Sequence, residues 1–191
     1  MWTYNGRVIK EGRAWTDDNG VKHPASWTRY DAATKASIGL VEVTVQPKPD
    51  ERFYWVSGPD LNGAYTSVER ALEDVPTVDE DGVPVIDPDT LVQLSTPGLK
   101  SQWIAQIKAT QGSLLAQTDW AYIRKQDTGA AVPADIQTYR DEVRLAGGII
   151  EGQIAACVDL AAFKVLFDTP VDAAGVPTGN APINDWPKVT I

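Results

Sequence analysis

Hydrophobic and polar residues alternate over short stretches at the start of the chain, and strong turn signals separate these stretches. Asn5-Gly6 and Asp18-Asn19-Gly20 are turn sequences, and Asn-Gly favours the type I′ turn of a two-residue β-hairpin. We therefore expect residues 1–46 to form a small N-terminal β unit built from hairpins. Its first strands are predicted at residues 7–9, 12–16 and 21–23.

A short helix and a further strand complete this predicted unit. Asp31 is a favourable N-cap for one or two helical turns over residues 31–37, and Gly39 is placed to end them. Residues 40–45 alternate in character and are rich in valine, which predicts a strand.

The following segment, residues 47–95, is predicted to be an extended or β-rich connecting region. Pro47 and Pro49 exclude a helix where this segment begins. Residues 52–56 carry bulky side chains typical of a strand, and residues 79–82 form an acidic turn that we interpret as the tip of a hairpin.

From Thr96 onwards, apolar residues recur at helical spacing. Thr96 is the predicted N-cap of the first helix and Pro97 its first residue. Residues 96–168 are expected to form a module of three to four helices, in which Gly147-Gly148 separates the last two. An extended C-terminal tail, residues 169–191, follows because prolines interrupt it repeatedly. The predicted fold class is therefore α+β.

Composition narrows the classes of function. The 191 residues carry a formal net charge of −9, which repels nucleic acid and argues against a DNA or RNA partner. No apolar run approaches the roughly 20 residues of a membrane helix, and the N-terminus lacks the pattern of a signal peptide. The one cysteine, Cys157, excludes an internal disulfide and is compatible with a reducing cytoplasm.

Residues for catalysis or metal binding are scarce. One histidine and one cysteine cannot build the usual Cys/His zinc site, and no nucleophile-elbow sequence accompanies His23 to suggest a Ser-His-Asp triad. We interpret His23 as a surface or strand-end residue and Cys157 as a small buried hydrophobe. The acidic residues 79–82 lack the ligand order of an EF-hand. We therefore expect no cofactor, no metal and no enzymatic activity.

Seven tryptophans are spread along the chain. Large aromatic side chains suit both cores and protein–protein contacts, so burial is the alternative interpretation for each of them. Trp2 and Trp186 lie near the termini, where burial within the chain is harder to arrange, and they are the strongest candidates for an interface. The predicted partner-binding residues are Trp2, Tyr4, Trp15, Trp27, Trp186 and Ile191.

Residues 114–144, LLAQTDWAYIRKQDTGAAVPADIQTYRDEVR, contain an ordered motif. Its members are Leu114, Leu115, Thr118, Asp119, Trp120, Arg124, Gly129, Val132, Pro133, Tyr139, Arg140 and Arg144. This stretch resembles the phage tail assembly chaperone and tail-fibre-associated families. Residues 5–39 likewise resemble the openings of short phage-encoded proteins.

The resemblance implies a phage tail protein, made in the cytoplasm of the bacterial host and located in the virion. Its partners would be other tail proteins, and a homo-oligomer is compatible with it. The β unit and the proline-rich tail, added to the helical module, favour a structural component of the baseplate or fibre-attachment region. A tail-fibre assembly chaperone that is not retained in the virion is the alternative, and the missing site residues argue against a wall hydrolase.

The motif also has a physical interpretation. Asp119 is expected to cap a helix, Trp120 to anchor it in a helical core and Arg124 to pair with a carboxylate. Tyr139 and Arg140 place an aromatic ring and a cation on adjacent faces. The motif, including Pro133 and Arg144, is equally compatible with a unit that only packs. We therefore expect partners to bind the β unit and the two tryptophan-bearing ends rather than the motif itself.

Overall fold

The computed structural model describes residues 1–188 and divides the chain into two units, Met1–Glu69 and Arg70–Ile191. Antiparallel hairpins make up the first unit and helices dominate the second, which confirms the predicted α+β class. The first unit extends past the predicted boundary at residue 46. The reason is local: the N–H of Gln46 donates to the carbonyl of Gly63 at 2.8 Å and ties the next hairpin to the β unit.

The first unit contains seven short strands and one helix within its described residues. Strands β2, β1 and β5 form an antiparallel sheet in that order, while β3–β4 and β6–β7 are two-stranded hairpins. A 3₁₀ turn at Ala25–Arg29 follows β4. The elements are β1 Trp2–Tyr4, β2 Arg7–Ile9, β3 Trp15–Thr16, β4 Lys22–His23, α1 Ala32–Ser37, β5 Val41–Glu42, β6 Tyr54–Ser57 and β7 Thr66–Glu69.

The turn chemistry of this unit follows the sequence signals. Asn5 and Gly6 both have positive φ, 42° and 74°, as a type I′ turn between β1 and β2 requires. Asp31 caps α1 by accepting a hydrogen bond from the Thr34 N–H at 2.7 Å. Gly39 ends α1 with φ of 77°, which confirms its predicted role. The strand predicted at residues 40–45 is limited to Val41–Glu42, where β5 pairs with β1.

The second unit begins with a small β region and continues as four α-helices within its described residues. Strands β8 and β9 pair antiparallel, and α2 packs side by side with α4. A 3₁₀ turn at Pro182–Asn184 lies near the end. The elements are β8 Val75–Pro76, β9 Ser95–Thr96, α2 Leu99–Ala116, α3 Asp119–Thr128, α4 Ala134–Ala156 and α5 Leu160–Val165.

Helix α2 begins two residues later than predicted, with Gly98 rather than Thr96 as its N-cap. Thr96 is held extended because it pairs with Val75 in the β8–β9 ladder. The N–H of Gly98 donates to the Asp74 carboxylate at 2.8 Å. A Cβ at Gly98 would overlap the backbone of Glu73, so this close approach requires glycine.

Two helix boundaries at the end of the module differ from the prediction. Helix α4 runs without a break through Gly147-Gly148. Gly147 is buried where the side chains of Gln111 and Trp186 pack against the helix, so its missing Cβ serves close packing rather than termination. The break falls instead after Ala156, and Asp159 caps α5 by accepting from the Ala162 N–H at 2.7 Å.

The described part of the predicted extended tail, residues 169–188, is anchored to the helical module. Ile183 is fully buried, and its N–H donates to the carbonyl of Leu166 at 2.9 Å. Val171 and Pro177 form an isolated antiparallel bridge around a turn at residues 172–175. Phe163, Ile150 and Ile154 are also buried core residues of this unit.

Four turns in the chain share one arrangement. Each begins with an aspartate whose carboxylate accepts from the N–H groups two and four residues later, and each has a glycine of positive φ at the fourth position. The sequence Val-Asp-x-x-Gly-Val-Pro occurs twice, at residues 78–84 and 171–177. These turns close hairpins locally and need no core to do so. The four aspartates are Asp17, Asp60, Asp79 and Asp172.

Candidate protein-binding surface

A largely covered arginine fixes the start of α3. The Arg140 guanidinium, on α4, donates through Nη1 to the carbonyl of Leu115 at 2.7 Å and to Thr118 Oγ1 at 2.8 Å. It also pairs with the Asp119 carboxylate at 2.7 Å. Its aliphatic and polar atoms are largely covered, since only 11% of the side chain is exposed. One side chain therefore joins the end of α2, the connecting turn and the first residue of α3 to α4.

The inner face of α3 is small and closely packed. Ala121 is fully buried and clusters with Val132 and Ile136, which follow the turn after α3. Gly129 ends the helix in the left-handed conformation, with φ of 73°. On α4, Tyr139 is buried, and burial raises the pKa of its hydroxyl. Arg140 thus fixes the start of the helix, and Ala121 packs its inner side.

The outer face of α3 carries an aromatic ring, an aliphatic side chain and a cation. Trp120 is 50% exposed and Ile123 is 61% exposed. The guanidinium carbon of Arg124 lies 5.3 Å from the centre of the Trp120 ring, which is a cation–π arrangement. Because residues three and four apart are neighbours on a helix, these three side chains form one continuous surface. We call it the α3 surface.

The structure corrects several expectations for the motif residues. Trp120 does not anchor α3 in the helical core, because the inward position belongs to the neighbouring Ala121. Arg124 lies over Trp120 rather than beside a carboxylate among its described contacts. Thr118, not Asp119, is the N-cap, and Asp119 pairs with Arg140 instead.

The remaining motif residues have structural positions. Pro133 is the N-cap of α4, with φ of −55°. Arg144 is exposed and pairs with Asp141 one turn earlier at 2.9 Å, an ion pair of the kind that contributes little to stability. The ring of Tyr122, which the sequence reasoning did not single out, lies under the Arg140 guanidinium at 4.7 Å.

The aromatic residues predicted to bind partners in the β unit are core residues instead. Trp27 is 0% exposed, and its indole N–H donates to the carbonyl of Arg13 at 2.9 Å. Tyr4 is buried beside it, while Trp2 and Trp15 are partly buried and pack against the same cluster. A sheet of three short strands offers few other large side chains, so these rings supply the core. Neither Trp27 nor Tyr4 is accessible to a partner in this conformation.

Of the two predicted partner-binding residues near the C-terminus, only Trp186 lies within the described residues. Trp186 is half-buried, and its ring lies 3.5 Å from the position that a Cβ on Gly147 would occupy, so it packs against α4. Ile191 lies outside the described residues. Trp186 is therefore not a free aromatic anchor, because part of its ring is covered by α4.

An open groove of about 470 Å³ lies between the second half of α4 and the segment at residues 170–187. Leu145 and Ile149 line it and are both more than half exposed, while Glu142 and Asp185 contribute carboxylates. The groove offers apolar contact area without any concentration of reactive groups, which suits protein contact better than chemistry.

The one histidine and the one cysteine of the chain are both buried. His23 is buried, stacks on Trp15 at 4.3 Å and lies 3.3 Å from the Asp17 carboxylate. Cys157 is buried, as predicted, and burial raises the pKa of its thiol, which favours the unreactive protonated form. Within residues 1–188, no group of three or more His, Cys, Asp or Glu side chains is arranged to hold a metal ion. None of the helices in this range is long and apolar enough to cross a membrane.

No protein-family model matches the chain, and no significant similarity to a curated protein or to a solved structure was found.

Proposed function

We propose that the chain is a structural protein of a bacteriophage tail, in the baseplate or fibre-attachment region, and that the α3 surface binds another tail protein. The observation that carries the proposal is Trp120, an exposed indole covered on one side by Arg124 and flanked by exposed Ile123. Tryptophan and arginine are the residues most enriched among those that dominate binding energy in protein interfaces.

The rigidity of α3 supports the same proposal. Arg140 fixes the start of the helix, Gly129 ends it, and Ala121 packs its inner face. A surface that is already ordered loses less conformational entropy when a partner binds, so more of the contact energy is retained as affinity.

The resemblance of residues 114–144 to tail-associated families supports the choice of partner, which we take to be a fibre or baseplate subunit of the same phage. The proposed role is non-catalytic, which is supported by the burial of the one histidine and the one cysteine. The same resemblance supports a second candidate, a tail-fibre assembly chaperone that binds the fibre while it folds and then leaves.

Binding measurements with single-residue variants test the α3 surface. We expect Trp120→Ala to reduce the affinity of the full chain for its tail partner at least about tenfold, because hot-spot truncations cost about 2 kcal/mol or more. Trp55→Ala is the matched control, since it removes an indole that is 65% exposed from the first unit, and we expect a change below about twofold. An unchanged affinity for Trp120→Ala, or an equal loss for both variants, would contradict the assignment.

The two proposed functions differ in whether the chain remains in the mature phage particle: a structural tail protein stays there, and an assembly chaperone does not. Quantitative mass spectrometry of purified virions is expected to find the wild-type chain at a fixed copy number. Absence from virions, together with insoluble fibres after deletion of the gene, would instead establish the chaperone role.

A further inference from the structure

A second exposed surface lies outside the α3 surface, on the segment between the first unit and α2. Residues 71–97, which we call the β arm, contain β8 and β9 and the isolated bridges Val78–Pro84 and Ile86–Gln93. None of the side chains of residues 71–97 is buried. The β arm therefore has strand pairing but no hydrophobic core.

Backbone hydrogen bonds hold the β arm together. Thr77 donates to Leu94 at 2.8 Å, Leu94 donates to Val85 at 2.8 Å, and Val85 donates to Thr77 at 3.0 Å. Three chain segments are joined in this way, and aspartate turns close both connections between them. Small strand assemblies without an apolar layer against another element are marginally stable in water. The fold thus leaves the arm with a face that a partner would stabilise by covering it.

Aliphatic side chains are concentrated on this uncovered surface. Between 43% and 78% of each is exposed, although valine, isoleucine and leucine are favoured in interiors. Because Ile86 pairs with Gln93 in the ladder, Ile86 and Leu94 lie on opposite faces, so exposed aliphatic side chains occur on both faces of the arm. The side chains are Val75, Val78, Val83, Ile86, Leu91, Val92 and Leu94.

Leu91 is the most informative of them. It is 78% exposed and has φ of +55°, a left-handed conformation that glycine or asparagine adopts at lower cost. Its N–H closes the turn by donating to the Asp87 carbonyl at 2.9 Å, which glycine would do equally well. The isolated chain gains nothing from a leucine here, and a strained, exposed apolar residue is the kind of outlier that points to a binding role.

The negative charge of the β arm favours a basic binding partner. Residues 71–97 contain seven of the 26 acidic residues and none of the 17 lysines and arginines, which leaves 19 acidic against 17 basic residues for the rest of the chain. Glu80, Asp81 and Asp89 are exposed near the two turns. Like charge disfavours a second copy of the arm, nucleic acid and an anionic membrane.

We infer that the β arm docks an extended segment of another protein in which lysine or arginine side chains flank aliphatic ones, with Leu91 as the apolar anchor. The aliphatic side chains of the arm provide contact area, and its carboxylates attract and orient the basic segment. This inference uses no residue of the α3 surface and does not depend on the partner being a phage protein.

Synthetic peptides test the inference on the full chain. The probe is a peptide of about ten residues with alternating lysine and valine, and the control has glutamate in place of lysine. Fluorescence anisotropy is expected to detect binding of the lysine peptide that weakens with added salt, and none of the glutamate peptide. Equal binding of both peptides, or binding of neither, would overturn the inference.

Variants separate the anchor from the scaffold. Leu91→Gly is expected to weaken binding of the lysine peptide at least fivefold while the melting temperature stays equal or rises, because the strain at φ of +55° is relieved. Val158→Ala, which truncates an 87% exposed aliphatic side chain between α4 and α5, is the control and should bind like the wild type. A lower melting temperature for Leu91→Gly with unchanged affinity would make Leu91 a structural residue and refute the anchor.

Two further measurements address charge and self-association. The triple variant Glu80→Gln, Asp81→Asn, Asp89→Asn is expected to bind more weakly and with less dependence on salt. Analytical ultracentrifugation is expected to give the same molecular mass for the wild type and Leu91→Gly. A wild-type oligomer that Leu91→Gly dissociates would identify a second copy as the occupant and overturn the inference.

Discussion

Replacing Arg140 with methionine tests whether one side chain secures the start of α3. The substitution keeps an unbranched apolar stem and removes the guanidinium that donates to Leu115, Thr118 and Asp119. We expect a clear loss of stability, because these contacts join α4 to the end of α2 and to the start of α3.

The expected magnitude follows from the surroundings of each contact. Hydrogen bonds to a charged group contribute about 1.5–3 kcal/mol each, and bonds that share one donor group are not additive. Thr118 is fully buried, so the loss of its partner is not compensated by water. The Asp119 side chain is 55% exposed, and its ion pair therefore adds no more than about 1 kcal/mol. The sum for Arg140→Met is about 2–4 kcal/mol, and Arg140→Lys should recover only part of it.

Urea denaturation followed by helical circular dichroism measures this change, since α2 to α5 all belong to the second unit. Arg144→Met is the matched control: it removes an exposed arginine and its Asp141 partner contact on the same helix, and we expect less than about 0.5 kcal/mol. If Arg140→Met unfolded within about 0.5 kcal/mol of the wild type, or if both variants lost the same stability, the proposed role of Arg140 would be refuted.

Three further predictions concern packing and charge. Trp27→Ala should lower the free energy of unfolding by about 3–5 kcal/mol because Trp27 is fully buried, whereas Trp120→Ala should change it by less than about 0.5 kcal/mol because Trp120 is half exposed. Similar losses for the two variants would contradict this difference in burial. Gly148→Ala should stabilise α4 by up to about 1 kcal/mol because open space surrounds it, and Gly147→Ala should gain less because its Cβ displaces Gln111; the reverse order of melting temperatures would refute this. Acid should destabilise the fold below about pH 4, where a set of aspartates with lowered pKa values becomes protonated. The stability that these aspartates contribute is fully present above their unfolded pKa of 3.8, and it is lost as the pH falls through their lower pKa values in the folded protein. A melting temperature that already declines between about pH 7 and 5 would contradict this prediction. The pKa values of these aspartates are lowered chiefly by hydrogen bonds that the carboxylates accept, from backbone N–H groups at Asp17, Asp31, Asp60 and Asp87 and from the Ser101 side chain at Asp74.

Local signals in the sequence were sufficient for the turns and for most element types. Asn5-Gly6 and Asp31 act within a few residues of chain, so their chemistry determines the structure directly. The helix break predicted at Gly147-Gly148 is wrong, because the effect of a glycine within a helix depends on which side chains pack against it. The side chains that occupy the space beside Gly147, Gln111 and Trp186, are distant in sequence.

The candidate site was predictable only in part, and for a similar reason. The motif at residues 114–144 directed attention to Trp120 and Arg124, but helical spacing alone does not distinguish an inward from an outward face. Ala121 takes the inward position because Val132 and Ile136 meet it there. Ile123 was missed for the same reason, although its spacing of three residues from Trp120 could have placed it on the same face.

The most direct test of the account is incorporation of a Trp120→Ala chain into virions. Quantitative mass spectrometry would compare particles from phage that encode the wild type, Trp120→Ala or the control Trp55→Ala. The account predicts a fixed copy number for the wild type and for Trp55→Ala, and a strong loss for Trp120→Ala although that variant folds with an unchanged melting temperature. Two results would contradict this prediction: incorporation of the Trp120→Ala chain at the same copy number as the wild type, or absence of the wild-type chain from purified virions.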